Sequence, residues 1–99
     1  MQPKYEIIKT SDYKRTSNKY IKRRILKIQE IETCVQKLII DKHDPKLNFK
    51  KINCKQDKNR YSIKINNQGY RVLLSIIENE IFLRCICDHD EYDRRNKDC

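Results

Sequence analysis

The residues most able to do chemistry stand near the end of the chain. Residues 84–99 read RCICDHDEYDRRNKDC, so Cys85, Cys87 and His89 alternate, and Tyr92, Arg94 and Arg95 follow within an acidic run. Cysteines with a histidine suggest a metal, but the spacing argues against one. Along a strand, residues i and i+2 lie about 6.5–7 Å apart and i and i+4 about 13 Å apart. Zinc sits about 2.3 Å from each sulfur and needs its ligand atoms within about 4 Å of one another. A regular strand cannot bring the three together, and the same spacing opposes a Cys85–Cys87 disulfide. No metal and no other cofactor is expected. A second set suits phosphate. Arg71 carries a guanidinium, which can bind two oxygens of one phosphate. Lys64 adds a second cation. His89 is a proton donor suited to neutral pH, and Tyr92 can stack on a base or donate to a leaving group. His43, beside Asp44 and Pro45, reads as a turn residue.

The elements that must position these residues follow from pattern. KYEIIKT (4–10) alternates as a first strand. Ser11 can cap a helix with Asp12 in its first turn. Ile21, Ile25, Ile28, Ile31, Val35 and Leu38 recur at steps of three and four, which predicts one helical stripe. Helix is expected over 25–41 and over 11–23, with a break near 22–24 making a hairpin. HDPKLNF (43–49) is a connection, because Asp44-Pro45 cannot continue a helix. KKINC (50–54) is a weaker extended piece. RYSIKIN (60–66), YRVLLSII (70–77) and IFLRCIC (81–87) are strands joined by short turns. The order is β-α-α-β-β-β: an α+β fold with two N-terminal helices on a curved antiparallel sheet. Period-2 alternation puts Tyr61, Ile63 and Ile65 under the helices and Lys64, Arg71 and Arg84 on the other face. Burying such cations is costly, so that face is expected to be an open groove.

Composition sets the partner class. The chain has 99 residues, enough for one domain with one small core, taken as residues 1–99. It lacks both an 18-residue apolar run and a secretory signal, so a cytoplasmic protein without membrane contact is expected. Five cysteines, an odd number, do not close a disulfide framework and are expected to stay reduced. There are 23 Lys and Arg against 14 Asp and Glu, with nine basic and two acidic groups in residues 1–28. A second basic stretch spans 42–64, whereas residues 65–99 carry five basic and seven acidic groups. Two separated cationic stretches point to a polyanionic partner, nucleic acid or acidic protein.

RYSIKINNQGYRVLLSIIENEIFLRCICDHDEYDRR resembles the RelE/ParE toxin superfamily, nearest its RelE-like mRNA interferases. The match runs through an aromatic-x-Ile-Lys-Ile strand, Gly-Tyr-Arg-Val, an apolar strand and His-Asp-x-Tyr. DPKLNFKKI resembles the family's connecting segment, and the element order agrees. The resemblance implies a type II toxin that cleaves mRNA at the ribosome without metal, using the 2′-hydroxyl as nucleophile. It implies an acidic antitoxin in a toxin–antitoxin hetero-oligomer. Lys64 and Arg71 fall on family active-site positions, Lys51 near the basic residue of the connection, and His89 and Tyr92 in the functional C-terminal segment. Such cleavage needs a base for the 2′-hydroxyl, cations for the phosphorane and an acid for the leaving 5′-oxygen. The catalytic set is therefore Arg71, Lys64, His89 and Tyr92. RNA contacts are expected from Lys50, Lys51, Lys55, Arg60, Arg84, Arg94 and Arg95. Ser62 stands where the nearest relatives carry a second strand lysine, and Asp88, Asp90, Glu91 and Asp93 make the tail acidic. The alternative is a ParE-like toxin that acts by binding, or a toxin-fold protein that only binds its antitoxin.

Overall fold

A computed structural model describes residues 5–66 and 68–97. The first residue of the predicted strand 4–10 and Cys99 lie outside them. The order is β1 (Glu6–Lys9), α1 (Ser11–Lys22), α2 (Ile28–Ile40), a 3₁₀ turn (Pro45–Leu47), β2 (Lys50–Lys51), β3 (Arg60–Lys64), β4 (Arg71–Ile77), β5 (Glu80–Cys87) and α3 (His89–Lys97). One five-stranded sheet has the order β1-β5-β4-β3-β2. Its hairpin strands pair antiparallel, but β1 runs parallel to β5, so the sheet is mixed and not wholly antiparallel. Among the described residues no helix is long and apolar enough to cross a membrane.

β1 and α1 share the edge of β5. β1 pairs with Glu80–Leu83 and then leaves the sheet. Thr10, and not Ser11, caps α1: its Oγ1 accepts from the Tyr13 N–H at 3.2 Å. The Thr10 hydroxyl also donates toward the Leu83 and Arg84 carbonyls, at 2.8 and 3.0 Å. Six residues further on, buried Thr16 accepts from the Ile86 N–H at 2.9 Å. Two threonines thus serve the β5 backbone where β1 no longer can. Thr16→Val keeps the shape and strands a buried N–H. It should lower unfolding stability by about 1–3 kcal/mol in urea titration, and an unchanged midpoint would contradict this.

The helical hairpin breaks between Arg23 and Lys27. Arg24 adopts a left-handed φ of 58°, and the Lys27 N–H donates to Glu30 Oε1 at 3.1 Å as α2 begins. The expected helix over 25–41 is therefore shorter, and the break shifts the phase of the apolar stripe. Leu26 is buried, whereas Ile25 and Ile28 are exposed. Ile31, Val35 and Leu38 keep their place in the core, which lies between the helices and Ile63, Val72, Leu74, Leu83 and Ile86 of the sheet.

The other sheet face is not the open groove expected. A second apolar cluster of Ile52, Cys54, Leu73, Cys85 and Cys87 lies there, and Tyr92 of α3 packs on it. A register shift between Leu73 and Leu74 moves the β5 pairing from Cys85 to Leu83, leaving Arg84 unpaired at a bulge. That bulge is why Arg84 and Cys85 do not alternate in the simple way the sequence suggests. Cys34, Cys85 and Cys87 are free and buried, but Cys54 is disulfide-bonded. An odd number of cysteines does not exclude a single bridge. Burial pushes the Cys34 thiol up to about 12, and a hydrogen bond to Cys85 together with burial pushes Cys87 up. Neither is a nucleophile near neutral pH.

Candidate active site

One end of the sheet gathers the phosphate-binding candidates. Lys64 at the end of β3 pairs with Arg71 at the start of β4, and Arg71 pairs with Cys87 at the end of β5. Directly opposed residues on antiparallel strands have Cα atoms about 4.5–5.5 Å apart. Lys64 and Arg71 therefore stand side by side. Just past Cys87, Asp88 starts α3: its Oδ1 accepts from the Glu91 N–H at 2.9 Å, and His89 occupies the first turn. Gly69, two residues before Arg71, has a φ of +91°, and a Cβ built on it would lie 4.0 Å from the His89 Cβ. The positive φ suits glycine, and it brings the β3–β4 connection against the start of α3.

Each side chain then has a definite setting. The Arg71 guanidinium carbon lies 4.9 Å from the centroid of the Tyr92 ring. Such stacking fixes the guanidinium plane. Arg71 Nε is buried without a hydrogen-bond partner, an unmet donor of a kind that calls for explanation in a folded protein. The Tyr92 hydroxyl lies 3.1 Å from Ser62 Oγ. Tyr92 is thus engaged by the sheet through both its ring and its hydroxyl, and Ser62 is fully buried beneath it. His89 is 68% exposed, and its Nδ1 lies 3.3 Å from Asp93 Oδ2. The carboxylate partner is thus Asp93, one turn along α3, and not the flanking Asp88 or Asp90. An exposed pair of this kind is worth little in stability, but it orients the ring and leaves Nε2 as the nitrogen to give a proton.

The remaining cations divide. Lys50 opposes Ser62 and is exposed. Lys51 opposes Tyr61, with Nζ 4.7 Å from that ring centroid, and donates to the Lys58 carbonyl, so it lies on the helix side of the sheet edge. Lys55 is exposed in the loop between β2 and β3. Arg60 Nε donates to Asp57 Oδ2 at 3.2 Å, and Arg84 Nε donates to Ser75 Oγ at 3.1 Å. Ser75 in turn donates to Asp57. These two arginines form a separate network about 13 Å along β4 from Arg71, four residues away. Burial raises the Asp57 carboxyl, but hydrogen bonds from Ser75, the Asn59 N–H and Arg60 outweigh it and hold the group below the ordinary range. On α3, Arg94 pairs with Glu91 at 2.8 Å and Arg95 bridges Glu91 at 3.0 Å and Asp12 of α1 at 3.2 Å. Arg95 thereby ties α3 to the first helix. Among the described residues, no three His, Cys, Asp or Glu side chains are grouped to hold a metal ion.

Sequence reasoning missed Asp57, Ser75 and Asp93 as partners of the expected cations. Asp57 had a signal, since Asp-x-Asn is a side-chain turn, and its Oδ1 accepts from the Asn59 N–H at 3.0 Å. The pairing with Ser75 had none.

The fold is similar to that of several solved proteins. The E. coli YafQ toxin, solved in complex with DinJ, superposes with a TM-score of 0.75 at 10% identity, covering 92% of this chain and 97% of that one. The toxin–antitoxin complex RelBE2 of Mycobacterium tuberculosis gives 0.55 at 15% identity, covering 89% and 94%. The conserved hypothetical protein HP0892 of Helicobacter pylori gives 0.66 at 15% identity, covering 89% and 98%. No protein-family model matches the chain, and no curated protein matches it in sequence.

Proposed function

We propose that this chain is the toxin of a type II toxin–antitoxin module and that it cleaves mRNA at the ribosome by metal-independent transesterification. The observation that carries the reading is the row Lys64–Arg71 at the sheet end, with His89 delivered beside it by the first turn of α3. The 2′-hydroxyl oxygen of one nucleotide attacks the adjoining phosphorus and loses its proton to a base. The P–O5′ bond breaks, and the leaving oxygen takes a proton from the His89 imidazolium. Arg71 and Lys64 stabilise the charge that builds on the phosphorane. Products are a 2′,3′-cyclic phosphate and a 5′-hydroxyl, and those ends are the test. The partner is an acidic antitoxin that covers the cationic sheet end. The fold shared with toxins solved in toxin–antitoxin complexes supports this.

One observation favours a second reading, a toxin that acts by binding alone. Ser62 is sealed under Tyr92 and adds no further cation beside Lys64 and Arg71. A binder would arrest growth and leave mRNA uncut.

A further inference from the structure

A cavity of about 540 Å³ opens between α2, the 3₁₀ turn and the end of β3. Sites for small ligands span about 300–1,000 Å³, so its size suits a nucleotide. Three lysines line it: Lys37 from α2, Lys46 from the 3₁₀ turn and Lys64 from β3. Buried Leu47 and half-buried Ile65 give it an apolar part. Its walls are tied together, since Cys34 Sγ donates to the Lys64 carbonyl at 3.3 Å. One carboxylate, Glu30, opposes the lysines, and its two oxygens already have donors. Asn66 Nδ2 reaches Oε2 at 3.2 Å, and the Lys27 N–H reaches Oε1 at 3.1 Å. Asn66 is fixed in turn, because its Oδ1 accepts from the Gln68 N–H at 2.9 Å.

The position of the cavity carries the argument as much as its charge. Lys64 both lines the cavity and stands beside Arg71 across the β3–β4 ladder. The cavity lies on the α2 side of the same strand end, so an RNA strand with its scissile phosphate on Arg71 reaches it by passing round Lys64 at the end of β3. We infer that the cavity is a subsite for the nucleotide adjoining the cut, with Lys37 and Lys46 holding that nucleotide's phosphate. The inference rests on the ribonuclease reading and extends it to a substrate footprint that neither lysine's place in the sequence suggests.

The probe is a short single-stranded RNA carrying 2′-O-methyl groups throughout, which removes the nucleophile. Its dissociation constant is measured against salt for the wild type, for Lys37→Gln/Lys46→Gln and for Arg71→Ala. Each phosphate contact with a single strand contributes about 0.7 to the slope of log K against log salt. The double variant should bind more weakly, with a slope shallower by about 0.7, the share of the one phosphate it no longer holds. Removing the terminal nucleotide from one end should weaken wild-type binding and leave the double variant unaffected. An unchanged slope in the double variant, or equal loss on trimming, overturns the subsite. If only Arg71→Ala then weakens binding, the ribonuclease reading stands without this cavity. If no protein binds even at low salt, the subsite falls, and the ribonuclease reading is then judged by cleavage on the ribosome. A double variant that keeps its RNA affinity but loses an acidic antitoxin also overturns the proposal, because the cavity would then be a protein-docking site.

Discussion

Arg71→Ala should reduce RNA cleavage by about 10²–10³-fold, the usual worth of a positioned donor to transition-state charge. The side chain is half-buried and lies at a strand end, with its guanidinium against the Tyr92 ring and its Nε unpartnered. No hydrogen bond of the fold depends on that nitrogen, so the variant should fold, with the same secondary structure by circular dichroism. Arg71→Lys keeps the charge but loses both the planar fork and the stacking geometry, and it should restore only part of the rate. The comparison separates charge from geometry, because a pure ion-pair role predicts full rescue by lysine. A folded Arg71→Ala protein that cleaves at the parental rate would remove Arg71 from the site.

His89→Gln should cost about 10²-fold or more, the lower range for a positioned general acid. His89 is exposed and makes one weak pair with Asp93, so a stability loss cannot account for the drop. Asp93→Asn should leave most of the rate. A His89→Gln variant with full activity would leave α3 a purely structural cap on the sheet.

How much of this was legible depended on sequence distance. The alternation in RYSIKIN placed Lys64 away from the core, and the apolar run after Arg71 made β4. The second helix followed from the apolar spacing that ends in Ile31, Val35 and Leu38, and the first from the helix-start signal near Ser11 and Asp12. Other features needed contacts between distant residues. The left-handed Arg24 ends α1 with no glycine to mark it, and the shift it causes turned Ile25 and Ile28 outward. The third helix did carry a signal, because Asp88 with Glu91 three residues on is a helix start. Read as the continuation of a strand, the tail appeared to offer Tyr92 to a base. As a helix, it turns Tyr92 onto Ser62, 30 residues away. The Asp57–Ser75 contact spans 18 residues and claims Arg84, which strand alternation places on an open groove, together with Arg60.

The central claim concerns bond chemistry, and the ends of the cut RNA test it most directly. Translating ribosomes on a defined mRNA are incubated with the purified chain, and the fragments are mapped and their termini identified by mass. The account predicts discrete cuts carrying a 2′,3′-cyclic phosphate upstream and a 5′-hydroxyl downstream. It also predicts that a single 2′-deoxy nucleotide at a mapped site abolishes that cut and spares the others. Translation that halts on intact mRNA, or cleavage that persists at the 2′-deoxy position, would contradict it.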